Sequence, residues 1–135
     1  MVRTIEIATT GQGLLDITRK IQTLVDAASV SEGLCTILIR HTSASLTIQE
    51  NADPSARHDL ESWLNRLVPE GDPEFTHTHE GADDMPSHIK AALTASSLSI
   101  PIVGGCLSLG RWQGIYIWEH RHRGSTRECV VHIGP

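Results

Sequence analysis

The stretch from Leu98 to Ile133, LSIPIVGGCLSLGRWQGIYIWEHRHRGSTRECVVHI, contains four short runs rich in aliphatic and β-branched residues. These runs have the length of strands, and glycines separate one run from the next. They extend over Leu98 to Val103, Cys106 to Leu109, Gly114 to Arg121 and Arg127 to Ile133. Consecutive strands joined by short connections are typical of an antiparallel sheet. The C-terminal part of the chain therefore predicts the sheet on which the fold is built.

The residues before this stretch predict further strands. Arg3 to Ala8 alternates polar and apolar residues, and a glycine-containing segment separates it from Leu14 to Ile17. This pattern predicts a first hairpin. The β-branched and aliphatic run from Leu34 to Ile39 predicts a buried strand. Ser45 to Gln49 predicts another strand, with its apolar residues on one face.

Three segments have the apolar spacing of helices. Thr18 is the predicted N-cap of the first helix, which ends near Ser29. Asp53 followed by Pro54 predicts the start of a second helix, because a capping acid precedes the residue preferred at the first helical position. A short third helix begins near Pro86, and the polar segment from Pro69 to Asp84 predicts a long surface loop before it.

Length and composition fit one domain. The chain has 135 residues, of which 39% are hydrophobic and 20% charged, close to ordinary globular composition. We therefore predict a single α+β domain over residues 1–135, with a largely antiparallel sheet and two or three helices. The sequence has no GxGxxG or Walker loop, which disfavours a Rossmann or P-loop nucleotide site.

The charge distribution and the lack of long apolar segments limit the partners. The formal net charge is −5, and residues 50–84 contain ten acids against two arginines, a local charge of −8. No basic stripe crosses the chain, so nucleic acid is not an expected partner. No segment predicts a signal peptide or a membrane span, and we expect a cytoplasmic protein. The three cysteines lack a CxxC pair and are expected to be buried thiols.

Histidines and acids between the predicted elements are the candidates for chemistry. His77 and His79 are two residues apart and could chelate one ion if extended, as could His120 and His122, although many such pairs are simply exposed. His88 is expected in the first turn of the third helix, where the helix dipole favours a neutral, metal-binding ring. Asp83 and Asp84, just before it, could serve the helix N-terminus, orient a ligating histidine or bind Mg²⁺.

The strand Gly114 to Arg121 should project polar side chains to both faces. Strand alternation puts two sets on opposite faces: Ile115, Ile117, Glu119 and Arg121, against Tyr116, Trp118 and His120. Arg121 could fork onto phosphate or carboxylate, and His41 with Ser43 could reach the same pocket. The alternative is that Glu119 and Arg121 only pair with each other.

Three longer motifs resemble one known family. They are HTSASLTIQENADPSARHDLE from His41 to Glu61, EGADDMPSHIK from Glu80 to Lys90, and GRWQGIYIWEHR from Gly110 to Arg121. In this order they are similar to the YjbQ family, also called secondary thiamine-phosphate synthase. The resemblance covers nearly the whole chain, and Arg111 departs from it by standing where a smaller residue is expected.

The resemblance implies a fold, an assembly and an activity. The expected protein is a homotrimer with polar pockets near subunit boundaries and weak thiamine-phosphate synthase activity. That reaction joins a pyrimidine methyl diphosphate to a thiazole phosphate and releases pyrophosphate, so a cation or an arginine must stabilise the leaving group. The expected cofactor is a divalent metal, either zinc at a histidine site or Mg²⁺ with the diphosphate.

The resemblance also implies roles for particular residues. The metal ligands are expected to be His77, His88 and His120. The catalytic residues are expected to be His41, Asp84, Glu119 and Arg121, with His41 or Glu119 moving protons and Arg121 meeting phosphate. The residues expected to line the cofactor pocket are Glu50, Asn51, Asp53 and Gln113. Two alternatives remain open, a non-enzymatic trimer that binds a metal or a small phosphorylated metabolite, and a metal-dependent phosphoester hydrolase.

Overall fold

The computed structural model describes all 135 residues and contains three helices and eight strands. The helices are α1 (Thr18–Ala28), α2 (Pro54–Leu67) and α3 (Asp84–Leu93). The strands are β1 (Val2–Ala8), β2 (Gly11–Asp16), β3 (Glu32–Ile39), β4 (Ala44–Glu50), β5 (Ser97–Val103), β6 (Cys106–Leu107), β7 (Gln113–Arg123) and β8 (Thr126–Gly134). None of the helices is both long and apolar enough to cross a bilayer.

The strands form two antiparallel sheets rather than one. The larger sheet has the order β1-β8-β3-β5-β6, and the smaller has the order β2-β7-β4. The predicted α+β class and the antiparallel pairing are confirmed. The predicted hairpin of β1 and β2 is wrong, because Ile5 of β1 pairs with Cys129 of β8 while Leu14 of β2 pairs with Trp118 of β7. Alternation specifies which face of a strand is buried, but it does not specify the pairing partner.

The main core lies between the two sheets. Ile37 of β3 and Val131 of β8 pack with Ile117 of β7, and all three are fully buried. Helix α1 completes this core with Ile21 and Val25, which lie one turn apart on its apolar face. The burial of these aliphatic side chains is the main stabilising contribution to the fold.

The smaller sheet is buried on its second face as well. Tyr116 and Trp118 of β7 pack there against Leu64 and Val68 from the end of α2. Strand β7 is therefore covered on both sides, which explains its nearly continuous burial from position 114 to 120. The predicted alternation is confirmed, since Ile115 and Ile117 belong to the core between the sheets.

Two predicted helix starts are corrected and one is confirmed. The Asp53 side chain accepts a hydrogen bond of 2.9 Å from the Ser55 amide, so α2 begins as predicted. Thr18 is the first residue of α1 rather than its cap, and its amide and hydroxyl both donate to Asp16 Oδ1. Helix α3 begins at Asp84, so His88 lies in the second turn and not in the first.

Candidate functional site

Four side chains with metal-binding groups meet at the start of α3. His77 and Glu80 lie in the loop before the helix, and Asp84 and His88 lie four residues apart on the helix. One ligand atom from each lies within 4.8 Å of the others. Residues four apart on a helix share a face, which explains the Asp84–His88 pair. We call these four residues the Asp84 cluster.

Arg121 of β7 holds the acidic part of the Asp84 cluster in place. Its Nη1 donates to Asp84 Oδ1 at 2.8 Å and its Nε to Asp83 Oδ2 at 3.0 Å. Its Nη2 donates to the Glu80 carbonyl oxygen at 2.7 Å. Arg121 was predicted to fork onto phosphate or carboxylate, and it forks onto the carboxylate of Asp83 from Nε and Nη2. Its contact with phosphate stays a prediction. The alternative pairing with the Glu119 side chain is wrong.

The two oxygens of Asp84 have different partners. Oδ1 receives the Arg121 bond, while Oδ2 lies 2.7 Å from His77 Nε2 and 3.1 Å from His88 Nε2. Burial alone would raise the pKa of Asp84, but hydrogen bonding to His77 and the charge of Arg121 lower it. Asp84 is thus an ionised and nearly buried carboxylate that points one oxygen at two imidazoles.

The tautomer of His88 follows from its other contact. Its Nδ1 lies 2.8 Å from the Thr42 carbonyl oxygen, which can only accept, so Nδ1 carries a proton. In a neutral ring the Nε2 lone pair then faces Asp84 Oδ2, an arrangement of two acceptors that needs a proton or a metal cation between them. This orientation by a backbone carbonyl is typical of metal-ligating histidines. The donor set of the Asp84 cluster therefore fits a divalent metal.

Two cavities flank the Asp84 cluster. On one side His41 and His88 line a groove of about 530 Å³ together with small side chains such as Ala91 and Ala92. On the other side His77 lines a cavity of about 260 Å³ whose apolar wall includes Phe75 and Met85. A cation in the cluster would therefore have a ligating histidine in each of the two cavities.

The tautomer of His41, which lines the groove, follows from a backbone contact. Its Nε2 accepts a hydrogen bond of 2.7 Å from the Glu128 amide, so the ring proton sits on Nδ1 in the neutral form. Burial and the charge of Arg127 lower the pKa of His41, which favours that neutral form. His41 shares this groove with His88 of the Asp84 cluster, whereas Ser43 and Arg121, which were predicted in the same pocket, do not line it.

Glu119 forms a buried ion pair with Arg127. Arg127 donates to both of its carboxylate oxygens, and Thr9 donates at 2.6 Å. Burial alone would raise the pKa of Glu119, but the hydrogen bonds from Arg127 and Thr9 lower it. The prediction that Glu119 moves protons is not supported, because every oxygen is bonded inside the protein.

His120 is not brought to the other two predicted ligands. It is 1% exposed and faces α3 from the smaller sheet, with Nε2 2.8 Å from Ser45 Oγ. Burial lowers the pKa of His120 to about 3, and its Nδ1 has no partner within the chain. The predicted three-histidine set is therefore corrected, and Asp84 and Glu80 take the place expected for His120.

The predicted cofactor residues lie at the opposite end of β7. Asn51 Nδ2 donates to the Gln113 carbonyl oxygen at 3.2 Å, and Gln113 Oε1 accepts from the Gly110 amide at 2.7 Å. Asp53 caps α2, and Glu50 is exposed. Eight strand positions separate Gln113 from Arg121, about 26 Å of extended chain. Within a single chain, the four predicted cofactor residues therefore lie far from the Asp84 cluster.

Two contributors were missed from the sequence. Glu80 was quoted only as the first residue of a motif, yet it stands three residues after His77 and four before Asp84. That spacing of acids and histidines was the available signal. The Thr42 carbonyl that orients His88 left no signal, because it is a backbone group brought there by the tertiary structure.

The fold and this site define a class, a single-domain α+β protein with two antiparallel sheets and a histidine–carboxylate cluster. The family model described as UPF0047 protein YjbQ-like matches residues 3–135. The chain belongs to this family, and the resemblance predicted from its three motifs is confirmed.

Relatives and solved structures agree with this assignment. The UPF0047 protein sll1880 of Synechocystis sp. is 53% identical over 127 residues, 94% of this chain and 86% of that protein. The UPF0047 protein YjbQ of Escherichia coli O157:H7 is 42% identical, covering 96% of this chain and 94% of that protein. An uncharacterized conserved protein of the yjbq/upf0047 family from Clostridium acetobutylicum has a TM-score of 0.90 at 35% identity, covering 98% of this chain and 99% of that chain. The hypothetical protein TT1486 of Thermus thermophilus has a TM-score of 0.87 at 32% identity, with the same coverage.

Proposed function

We propose that this protein is a metal-dependent enzyme that binds one divalent cation at the Asp84 cluster and acts on a small phosphorylated metabolite. The observation that carries the proposal is the orientation of His88, whose Nε2 lies 3.1 Å from Asp84 Oδ2 while its Nδ1 donates to the Thr42 carbonyl. A cation between these two acceptors removes their repulsion.

The donor set favours a transition metal over Mg²⁺. Two imidazoles and two carboxylates suit zinc and its neighbours, whereas Mg²⁺ prefers an oxygen-only shell with several waters. Of the two cofactors expected from the family resemblance, zinc at a histidine site is therefore the one we propose. The ligands are His77, Glu80, Asp84 and His88, and His120 is left out.

The specific reaction we propose is coupling of the thiamine-phosphate synthase type. The bound cation would supply Lewis-acid stabilisation of the pyrophosphate leaving group. His41 would donate a hydrogen bond from Nδ1 to a substrate atom in the groove, and Arg121 would keep Asp84 aligned. The support for a two-substrate reaction is that a cavity lies on each side of the cluster, each containing one ligating histidine.

A second candidate is metal-dependent phosphoester hydrolysis. The side chains of His77 and Glu80 are 48% and 65% exposed, so water can reach the cluster directly. Open access to water favours hydrolysis over coupling, because a coupling enzyme must protect its activated substrate. A trimer that binds a metal or metabolite without catalysis is the remaining alternative, and it predicts bound metal with neither activity.

The homotrimer implied by the resemblance also remains a proposal. Its support is the uncovered face of the larger sheet, where the side chains of Leu34 and Leu38 on β3 are exposed along with Val2 and Val103. Uncovered apolar sheet faces are typical of subunit contacts. Light scattering of Leu38→Glu against the wild type tests this, since a charge in the contact should shift the protein to smaller species.

The first test is the metal content of untagged protein by elemental mass spectrometry. We expect about one zinc-like ion per chain in the wild type and strong loss in Asp84→Asn and His88→Ala. His58→Ala is the matched control, because His58 is an exposed helix residue outside the cluster. No bound metal after zinc is offered, or equal content in all variants, would contradict the proposed site.

The second test separates the reactions. Pyrophosphate release that requires both the pyrimidine diphosphate and the thiazole phosphate supports coupling, whereas phosphate release from a simple phosphoester supports hydrolysis. His41→Gln should lower the turnover rate while leaving the metal content unchanged, because His41 touches the groove and not the cluster. Loss of metal in His41→Gln would show that its role is structural.

A further inference from the structure

Arg57 is the one arginine that is sheltered from solvent without a carboxylate partner. Three arginines are not fully exposed, namely Arg57, Arg121 and Arg127. Arg121 pairs with Asp83 and Asp84, and Arg127 pairs with Glu119. Arg57 has a single hydrogen bond, from Nη2 to the Tyr116 hydroxyl at 3.2 Å.

The surroundings of Arg57 hold its guanidinium in one orientation. The group lies 5.1 Å from the centre of the Tyr116 ring, a cation–π contact, and the Tyr116 hydroxyl is itself fixed by donation to the Glu50 carbonyl. The Arg57 Nε is shielded and has no partner within the chain. A guanidinium has five N–H donors, and leaving the buried Nε donor without a partner is costly. The Nη donors that Tyr116 does not take remain available to a partner from outside the chain.

Arg57 lines a cavity of about 270 Å³ between the β1–β2 connection and α2. Arg57 is the only basic residue in the lining. Of the two acids in the lining, Glu119 pairs with Arg127, whereas Glu61 has no cationic partner and its Oε1 accepts from the Leu14 amide at 2.7 Å. Arg57 is therefore the one lining group that can meet an oxyanion with a positive charge.

We propose that this cavity is a second binding site, in which Arg57 takes the phosphate or carboxylate group of a small ligand. A planar guanidinium held by a ring is suited to an oxyanion, because its paired N–H groups match the spacing of two oxygens. The cavity has room for the anionic group and a short organic part. It shares no lining residue with the two cavities beside the Asp84 cluster, so the site is independent of the proposed metal.

The test is calorimetric titration with inorganic phosphate, and separately with malonate, at constant ionic strength. We expect saturable binding to the wild type and at least about tenfold weaker binding to Arg57→Gln. Arg66→Gln is the matched control, because Arg66 is exposed on the same helix and bonds only to Ser62. Phosphate alone binding would identify a phosphate site, and malonate alone a carboxylate site.

Two further variants keep the test decisive. His88→Ala should retain anion binding, which separates this site from phosphate bound to a metal in the Asp84 cluster. If Arg57→Gln does not fold, Arg57→Lys serves instead, and loss of the planar fork should weaken binding by about tenfold. Equal affinity in the folded Arg57 variant, or no binding of either anion by the wild type, would overturn the proposal.

Discussion

Consecutive residues of β7 lead into two regions of opposite character. Arg121 reaches the Asp84 cluster, which is partly open to water, whereas Glu119 and His120 are buried and bonded to groups inside the protein. Both regions contain histidine, acid and arginine. In the buried region both carboxylate oxygens of Glu119 are taken by Arg127 and Thr9. In the Asp84 cluster the side chains of His77 and Glu80 stay open to solvent, so only this region leaves its polar atoms accessible to a ligand.

The largest expected change in unfolding free energy comes from breaking the buried Glu119–Arg127 pair. Glu119→Ala removes the partner of Arg127, and an uncompensated buried charge costs about 3–5 kcal/mol of unfolding free energy. Urea denaturation measures it. The double variant Glu119→Ala with Arg127→Met should recover much of the loss. A single variant as stable as the wild type would mean that the pair is not structural.

The next effect concerns the open region. Arg121→Gln frees Asp84 Oδ1, and loss of such an orienting contact typically weakens metal affinity about 10–100-fold. Competition with a chelator measures the affinity, and Arg123→Gln is the control because Arg123 is exposed at the end of the same strand. If Arg121→Gln binds metal as tightly as the control, Arg121 does not position the cluster.

Acid should destabilise the protein through His120. Its pKa is about 3 in the folded chain against the ordinary histidine value of 6.5, so the unfolded chain binds the extra proton between these values. Stability therefore falls as the pH drops below 6.5, by up to about 1.4 kcal/mol per pH unit. The pH dependence of urea denaturation should be shallower in His120→Gln than in the wild type. Identical profiles would show that His120 does not titrate as a buried neutral group.

The smallest effect concerns the far end of β7. Asp53→Ala removes the cap of α2 and should cost about 1 kcal/mol in urea denaturation. Metal content should stay unchanged, because Asp53 lies outside the Asp84 cluster. Loss of metal in Asp53→Ala would show instead that residues at both ends of β7 contribute to one site, for example across a subunit contact.

The predictions from the sequence succeeded where the signal was local. The Asp53-Pro54 pair located the start of α2, and strand alternation separated Ile117 from Trp118. The family resemblance predicted His77, His88 and His120 as metal ligands and Asp84 as a catalytic residue. His77, Asp84 and His88 do meet, whereas His120 is buried apart from them under α3, which packs over the smaller sheet. The hairpin of β1 and β2 failed for the same reason, since pairing partners are chosen by distant strands.

The sequence by itself determined the elements, the faces that they bury and the family, because these depend on spacing and on residues close together in the chain. The tertiary structure alone decided which donors meet which acceptors. Arg121 finds Asp83 and Asp84 from about forty residues away, and the Thr42 carbonyl selects the tautomer of His88. These contacts join segments that no local pattern links, and they determine whether a histidine or an arginine is free to bind a ligand.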